Sequence, residues 1–254
     1  MRAAPGAPSK CHLTFATHED SLRGAEGAQS CTISLERRQR RHRLVVNNSM
    51  TQRRIALFGG SFDPIHLGHT HVARAAAEQI RAEKVILVPA KCSPLKSFSP
   101  PAPDEDRLQM ALLATAGAET FAVSDCELKR PAPSFTIDTV RLFQHDYGED
   151  TTIHWLLGAD SVNDLVHWYK IEELIDECHL TTMQRAGYPP PDFDRFVSLW
   201  GPQRVAKLRQ NVVRTPLIDI SSTQVRRRLA AGEDVSALLH PDVIAYIRAH
   251  HLYR

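Results

Sequence analysis

From residue 54 onward, short and largely apolar runs alternate with longer segments of helical periodicity. Runs of this kind are typical of strands buried on both faces of a parallel sheet, and the longer segments predict helices between them. We therefore predict an α/β fold, a doubly wound parallel sheet in a single domain. The predicted strands are 55–58, 85–88, 121–123, 153–157, 179–183 and 217–220, and the main predicted helices are 67–80, 104–116, 136–147, 222–231 and 241–250. Ligands of such sheets bind beyond the carboxyl ends of the strands.

Residues 1–49 lack this alternation. They mix Ala, Gly, Ser and Pro with a basic run at 37–41, and they carry eight Lys and Arg against four Asp and Glu. We interpret them as a disordered extension, or as upstream sequence from a start codon assigned too early, with Met50 as a natural start. A nucleic-acid-binding, lipid-binding or organelle-targeting segment is the alternative, and the interspersed acidic residues weaken the targeting version. The predicted folded domain is 50–254.

Composition changes this picture little. The formal net charge of the 254 residues is +2, too small to indicate a nucleic-acid or membrane partner. The five cysteines form no CxxC pair, and no apolar run is long enough to predict a membrane helix. We expect a protein of the reducing cytoplasm, and we leave its oligomeric state open, with a homo-oligomer as one option.

The strongest chemical signal is the segment 59–69. Its sequence is Gly59-Gly60-Ser61-Phe62-Asp63-Pro64-Ile65-His66-Leu67-Gly68-His69. Glycines directly after a strand let a ligand approach the backbone, and the following helix start offers N–H groups to an anion. His66 and His69 are three residues apart, so both imidazoles can project from one helix face. The segment thus predicts a polyphosphate site.

Other interpretations of these residues fit less well. The segment is neither a Walker loop nor the GxGxxG dinucleotide motif. A zinc site formed by His66, His69 and His71 is an alternative, although no HExxH pattern or nearby cysteine supports it.

The segment resembles the HxGH nucleotidyltransferase superfamily, whose fold is Rossmann-like. That resemblance implies a second motif, and Ile220-Ser221-Ser222-Thr223-Gln224-Val225-Arg226 matches it. Here a Ser/Thr cluster suits a helix cap, and Arg226 lies three residues after Thr223, so both can face one phosphate. An ordinary capped helix with exposed arginines is the alternative, and it suits Arg227 and Arg228.

The middle of the chain is similar to the nicotinate-mononucleotide adenylyltransferase family. Ser134-Phe135-Thr136-Ile137-Asp138-Thr139 resembles the family's S-[YF]-T-x-D-T helix start, and Gly158-Ala159-Asp160-Ser161 resembles its GADS element. Trp168 follows at the family spacing, and the resemblance implies that it lies beside the pyridine ring; a core tryptophan is the alternative. Residues 185–188 resemble the R-P-G-[YF] loop, and Arg107 begins an R-x-x-M pattern interpreted as pocket wall.

Two positions depart from the family pattern. Leu95 replaces the histidine of a P-H-K loop, although Lys96 remains, and Ala186 replaces the proline of the arginine loop. The first departure puts phosphate binding by that loop in doubt, and the second loosens a turn.

The resemblance implies transfer of AMP from ATP to nicotinate mononucleotide, with Mg²⁺ accompanying ATP. It assigns His66, His69 and Arg226 to catalysis. It assigns Gly59, Gly60, Ser61, Phe62, Ser222 and Thr223, with the three catalytic residues, to ATP. It assigns Lys96, Thr136, Asp160, Trp168 and Arg185 to the mononucleotide. Alternatives are a nicotinamide mononucleotide or pantetheine phosphate acceptor, a synthetase-like RNA-binding module, and a nucleotide sensor without turnover.

Overall fold

The computed structural model describes residues 13–14, 53–92, 101–185 and 189–254, and in this part of the chain seven strands form one sheet. The strands are β1 (Leu13–Thr14), β2 (Arg53–Gly60), β3 (Lys84–Pro89), β4 (Phe121–Ser124), β5 (Thr151–Gly158), β6 (His179–Arg185) and β7 (Val212–Thr215). The α-helices are α1 (Leu67–Ile80), α2 (Asp104–Thr115), α3 (Cys126–Lys129), α4 (Thr136–Tyr147), α5 (Ile171–Glu177), α6 (Val197–Gln210), α7 (Ser222–Ala230) and α8 (Pro241–Ala249). Among the described residues, 3₁₀ helices span Ala159–His167 and Asp194–Phe196.

The strand order is β1-β4-β3-β2-β5-β6-β7, and every neighbouring pair except β1 and β4 is parallel. From β2 the chain first builds outward through β3 and β4, then returns to place β5 on the other side of β2. The order therefore reverses between β2 and β5, and the carboxyl ends of these two strands form the switch point of a doubly wound sheet. The predicted fold class is confirmed.

Two hydrophobic cores lie on the two faces of the sheet, because alternate strand residues point in opposite directions. Ile55 and Leu57 of β2 belong to one core, and Ala56 and Phe58 belong to the other. Helices α3, α4, α5 and α6 cover the first face, while α1, α2, α7 and α8 cover the second. Burial on both faces explains why the strand sequences are apolar throughout most of their length.

Five of the six predicted strands occur where the pattern placed them, but the strand predicted at 217–220 is wrong. Residues 216–221 have no regular structure, and the last strand is Val212–Thr215. This strand pairs with β6 up to Thr215, and Pro216 follows it without an N–H group to continue the ladder. The sequence pattern also failed to predict α6, whose helical course is broken at Gly201, where φ is 80°.

Within residues 1–49 the structure describes Leu13 and Thr14. They pair antiparallel with β4, Leu13 opposite Ser124 and Thr14 opposite Val123. The remaining residues of the predicted extension lie outside the described part of the chain.

Strand β7 forms one edge of the sheet, and a side chain of α1 caps it. Gln79 accepts a hydrogen bond from the backbone N–H of Arg214 (3.0 Å) and donates one to the carbonyl of the same residue (2.6 Å). The amide of Gln79 thus makes the pair of bonds that a residue of a neighbouring strand would make.

Two histidines, the buried His154 of β5 and the half-buried His179 of β6, lie side by side, distant along the strands from their carboxyl ends. His154 and His179 are register partners, and their rings stack with centroids 4.9 Å apart. The Nδ1 atom of His154 lies 2.9 Å from Oγ1 of Thr181. Burial lowers the pKa of His154 to about 4, with further lowering by the charges of His179 and Arg54. Burial and Lys207 also lower the pKa of His179.

These lowered pKa values predict a loss of stability in mild acid. Unfolded histidine takes up a proton near pH 6.5, whereas the folded protein resists protonation of His154 until about pH 4. The free energy of unfolding should therefore fall as the pH drops from about 6.5 toward about 4, with a slope of up to about 1.4 kcal/mol per pH unit from His154. Urea unfolding at several pH values measures it. His154→Gln should flatten the slope, whereas the exposed control His145→Gln should leave it unchanged; equal slopes in all three proteins would contradict the prediction.

Candidate active site

Glycines end both strands at the switch point. The register pairs Leu57 with Trp155, and three residues further along these parallel strands Gly60 lies level with Gly158. The segment 61–66 leaves the sheet from Gly60, and the first 3₁₀ helix leaves it from Gly158. The two segments that the sequence assigned to ATP and to the mononucleotide therefore start side by side.

The loop 61–66 is held by its own aromatic residue. Phe62 takes a positive φ of 47°, and its ring is buried, with only 2% of its surface exposed. The ring packs edge-on against Phe58 and His69, with centroid distances of 5.6 and 5.2 Å. A turn at Asp63 and Pro64 follows, with a cis peptide bond between them, as the sequence predicted a turn there. Phe62 thus contributes backbone to the predicted ATP site and side chain to the core.

His66 and His69 come together at the start of α1, as predicted. His66 precedes the first helical residue, and the two imidazole rings stack with centroids 3.6 Å apart. The backbone N–H of His66 donates to Nδ1 of His69 over 3.2 Å. Because Nδ1 accepts this bond, neutral His69 carries its proton on Nε2, which makes that nitrogen a hydrogen-bond donor.

Gly68 leaves room for the imidazole of His66. A Cβ atom at Gly68 would lie 2.9 Å from Nδ1 of His66 and 3.4 Å from the Ile218 side chain. The imidazole of His66 occupies the space that the missing side chain leaves. Residue 68 must be glycine for His66 to keep this position.

The glycines at the end of β2 also serve neighbouring rings. A Cβ atom at Gly59 would lie 2.7 Å from Cη2 of Trp155, and one at Gly60 would lie 3.1 Å from the Phe62 ring. Neither glycine has a positive φ. Both glycines instead let aromatic side chains pack tightly beneath the loop.

The second predicted motif lies against the same loop. Ser221 caps α7 by accepting from the N–H of Gln224 (3.2 Å), and Ser222 donates its hydroxyl to the carbonyl of Pro64 (3.0 Å). Arg226 donates from Nη1 to the carbonyl of Asp63 (2.6 Å) and from Nη2 to Oγ1 of Thr223 (3.3 Å). The predicted proximity of Arg226 and Thr223 is confirmed, and both motifs form one continuous site.

A buried arginine supports the loop from the other side. Arg107 of α2 is 0% exposed and donates to the carbonyl of Ser61 and to Oδ1 of Asp104, both at 2.6 Å. Its Nε is buried without a hydrogen-bond partner among the described residues. Because the buried guanidinium of Arg107 donates a hydrogen bond to a loop carbonyl, it fixes the position of the loop. Arg107 therefore does more than line a pocket wall.

The predicted mononucleotide side is built on α4 and on the end of β5. Thr136 is the first residue of α4 and is half-buried, and Asp160 is exposed in the first turn of the 3₁₀ helix. A Cβ atom at Gly158 would overlap the Asp160 carboxylate, so this glycine lets the carboxylate fold back over the strand end. Trp168 is half-buried and packs against the core. This contact favours the alternative that Trp168 is a core tryptophan, at least for the buried part of its ring.

A buried polar cluster fixes the start of α4. Oγ1 of Thr139 donates to the Glu127 carboxylate over 2.6 Å, and Nη2 of Arg130 donates to Oγ1 of Thr139 over 2.7 Å. Glu127 is 3% exposed, and this burial raises the pKa of its carboxyl group. The backbone N–H of Ser134 also donates to the carbonyl of Cys92, which ties this helix start to the segment after β3.

Two predicted site residues cannot be placed through their side chains. Lys96 lies among residues 93–100, outside the described residues. Arg185 ends β6, where its backbone pairs with Thr215, and its side chain is outside what the structure describes.

The sequence analysis missed Trp155 and Tyr253, and it gave Arg107 too small a role. Trp155 packs against Gly59 and Tyr253 donates its hydroxyl to Oδ1 of Asp63 over 2.6 Å, so these contacts join distant parts of the chain. Only the R-x-x-M pattern around Arg107 offered a signal. In residues 53–92, 101–185 and 189–254, no three His, Cys, Asp or Glu side chains gather into a metal site, so the zinc alternative finds no support there. In the same ranges, no helix is both long and apolar enough to cross a membrane.

Comparisons with known proteins agree with this geometry. A family model described as cytidylyltransferase-like matches residues 57–228. A probable nicotinate-nucleotide adenylyltransferase of Rhodopirellula baltica is 34% identical over 200 residues, which cover 79% of this chain and 93% of that protein. One from Neisseria meningitidis serogroup B is 37% identical over 201 residues, 79% of this chain and 98% of that protein. The structure of the Plasmodium falciparum nicotinic acid mononucleotide adenylyltransferase with NaAD superposes with a TM-score of 0.60. The superposition covers 79% of this chain and 97% of that one at 20% sequence identity, so the two proteins share the fold.

Proposed function

The chain belongs to the nicotinate-nucleotide adenylyltransferase family, and we propose that it transfers AMP from ATP to nicotinate mononucleotide, giving nicotinate adenine dinucleotide and pyrophosphate. This reaction belongs to NAD biosynthesis. The alignments with these two relatives cover nearly the whole length of each relative. The part of this chain that is proposed to carry the activity therefore corresponds to the whole of each relative.

One observation carries the assignment of the ATP site. The stacked His66 and His69 and the guanidinium of Arg226 are brought to a single loop, Ser61–Pro64, at the switch point. Imidazole N–H, guanidinium and helix N-terminal N–H groups are the donors that stabilise charge in phosphoryl chemistry. We assign the triphosphate to His66, His69, Arg226 and Thr223, and the loop backbone at Gly59, Gly60, Ser61 and Phe62 to the rest of ATP. Ser222 holds the loop at Pro64.

The chemistry needs positioning more than it needs a base. The 5′-phosphate of the mononucleotide is already an anion, and its oxygen attacks the α-phosphorus of ATP in line. The new phosphoanhydride bond forms as the bond between the α-phosphorus and the bridging oxygen to the β-phosphorus breaks, and the electron pair leaves with pyrophosphate. The enzyme must therefore hold two anions together and stabilise charge on the leaving group, which suits a site of cationic and N–H donors.

The mononucleotide is proposed to bind beside ATP, across the switch point. Thr136 at the start of α4, Asp160 beyond β5 and Trp168 are the described residues of this half. We keep Lys96 and Arg185 as predicted contacts of the mononucleotide in the same half.

Mg²⁺ is proposed to enter with ATP. The described part of the site offers few carboxylates, and the Asp63 carboxylate is buried against Tyr253 rather than open to a cation. Such a donor set fits an ion held by ATP phosphates and water, which is the usual arrangement for Mg²⁺. The ion would neutralise charge on the phosphates.

We also place the reaction in the cytoplasm. The described cysteines, Cys92, Cys126 and Cys178, are free thiols, and two of them are buried. Thiols of this kind are typical of a reducing compartment.

Pyrophosphate release tests the acceptor. The full chain is incubated with ATP and Mg²⁺ and with nicotinate mononucleotide, nicotinamide mononucleotide or pantetheine phosphate in separate reactions. We expect kcat/KM for the nicotinate form to exceed the others by about tenfold or more, because a site built for a carboxylate rejects its uncharged analogue. Equal or better turnover of nicotinamide mononucleotide would overturn the choice of acceptor. ATP binding without release for any acceptor would instead support a nucleotide sensor.

A further inference from the structure

The chain returns to the ATP loop after α8. Tyr253 lies in the turn that follows this helix, with a positive φ of 60°, and its hydroxyl donates to Oδ1 of Asp63 over 2.6 Å. These residues are 190 positions apart in the sequence. Asp63 lies in the middle of the loop that carries the proposed ATP contacts, so the turn after α8 is joined to the site through one carboxylate.

The contacts of Asp63 divide between its two oxygens. Oδ1 accepts from Tyr253 and from the backbone N–H of Ala102 (3.3 Å), while Oδ2 lies 3.7 Å from Nη1 of Arg226. The residue is 3% exposed, so water contributes little to its solvation. With Oδ1 engaged by two donors, the rotation of the carboxylate is fixed and Oδ2 faces the guanidinium.

The tyrosine remains a donor throughout the neutral range. Burial raises the pKa of its phenol well above the usual value, and the Asp63 carboxylate raises it further. A phenol that stays protonated neutralises no charge, so Asp63 keeps its full attraction for Arg226.

We propose that Tyr253 is a positioning residue for ATP, which sets Arg226 in place by orienting the Asp63 carboxylate. This inference rests on the proposed function, in which Arg226 binds the triphosphate. Without the hydroxyl, Oδ1 loses one of its two described donors, so the carboxylate can rotate and Oδ2 no longer holds the guanidinium of Arg226 in place.

The test is Tyr253→Phe, which removes only the hydroxyl. We expect kcat/KM for ATP to fall about tenfold, the effect of losing one hydrogen bond to a charged group. The KM for nicotinate mononucleotide should change by less than about twofold, because that half of the site is built on other elements. Steady-state kinetics with each substrate varied in turn separates the two effects.

The matched control is Tyr246→Phe. Tyr246 of α8 also donates its hydroxyl to an aspartate, Asp106, over 2.8 Å, but this aspartate belongs to α2 and not to the loop 61–66. The Tyr246→Phe variant should lose about as much thermal stability as Tyr253→Phe, but it should keep its kcat/KM for ATP. Equal losses of kcat/KM in both variants would show a general effect of loosening α8 and would overturn the proposal.

A double-variant cycle identifies the route of the effect. In an Arg226→Ala background, Tyr253→Phe should lower kcat/KM for ATP by less than about twofold, because the group that it positions is gone. An undiminished loss would overturn the proposal and leave the ATP site intact. If Arg226→Ala alone changed kcat/KM by less than about threefold, the site assignment itself would fail. If Tyr253→Phe folds poorly, Asp63→Asn is the second variant. It keeps Oδ1 but removes the charge that faces Arg226, and we expect the same decrease in kcat/KM for ATP.

Discussion

Replacement of His69 by alanine is expected to lower kcat by about 10²–10³-fold, the typical loss of one charge-stabilising donor. The bond from the His66 backbone to Nδ1 fixes the tautomer that donates from Nε2. The rings of Phe62 and His66 hold the imidazole on two sides, so its direction is set before ATP arrives. Single-turnover measurement of AMP transfer at saturating ATP reports the effect on the chemical step.

His71→Ala is the control for this variant. His71 is exposed on the same helix two residues further on, and its removal should leave kcat unchanged. Thermal unfolding of both variants shows whether the loop is intact. If His69→Ala lowered kcat by less than about threefold while the loop stayed intact, His69 would not be a catalytic residue.

Replacement of Arg226 by alanine is expected to lower kcat/KM for ATP by about 10²–10³-fold, because a guanidinium beside the triphosphate stabilises charge on the leaving pyrophosphate. The same change removes a donor from the Asp63 carbonyl and the cation that faces its buried carboxylate. A decrease in the melting temperature should therefore accompany the kinetic loss. Initial rates well below that temperature separate the two effects.

Arg227→Ala isolates the contribution of position 226. Arg227 is the exposed neighbour on α7, so its removal makes the same change in net charge without touching the loop. It should change kcat/KM by less than about twofold. If the two variants lost activity equally, long-range attraction of ATP by α7 would explain the result, and no specific contact of Arg226 would be needed.

The fold could largely be predicted from the sequence because its strands are buried on both sides. A buried parallel strand must be apolar wherever it lies in the sheet, so 85–88 and 153–157 stand out without knowledge of their partners. The error at 217–220 has the same origin. Leu217, Ile218 and Ile220 form an apolar run, but only the pairing of β7 with β6 shows that Val212–Thr215 is the strand.

The two ATP motifs could be predicted because their residues are contiguous and lie at helix starts, where local geometry decides what they face. The supports of the loop could not. Tyr253 reaches Asp63 across 190 positions, and Arg107 reaches Ser61 across 46. A single tyrosine has no local pattern that distinguishes it from a surface residue, and the R-x-x-M pattern around Arg107 predicted a pocket wall but not the loop carbonyl that the arginine contacts. Such contacts depend on how α2 and α8 pack on the sheet, which periodicity does not specify.

The Gln79 amide that caps β7 has a consequence for the behaviour of many copies of the chain together. An open strand edge is a template on which another chain can add its own strand, and edge-to-edge growth of this kind leads to aggregates. At Arg214 an incoming strand would first have to displace both hydrogen bonds of the glutamine. Resistance to polymerisation at this edge therefore depends on a helix residue that takes no part in AMP transfer, and a change at position 79 would reduce the yield of folded protein while each folded molecule kept its full activity.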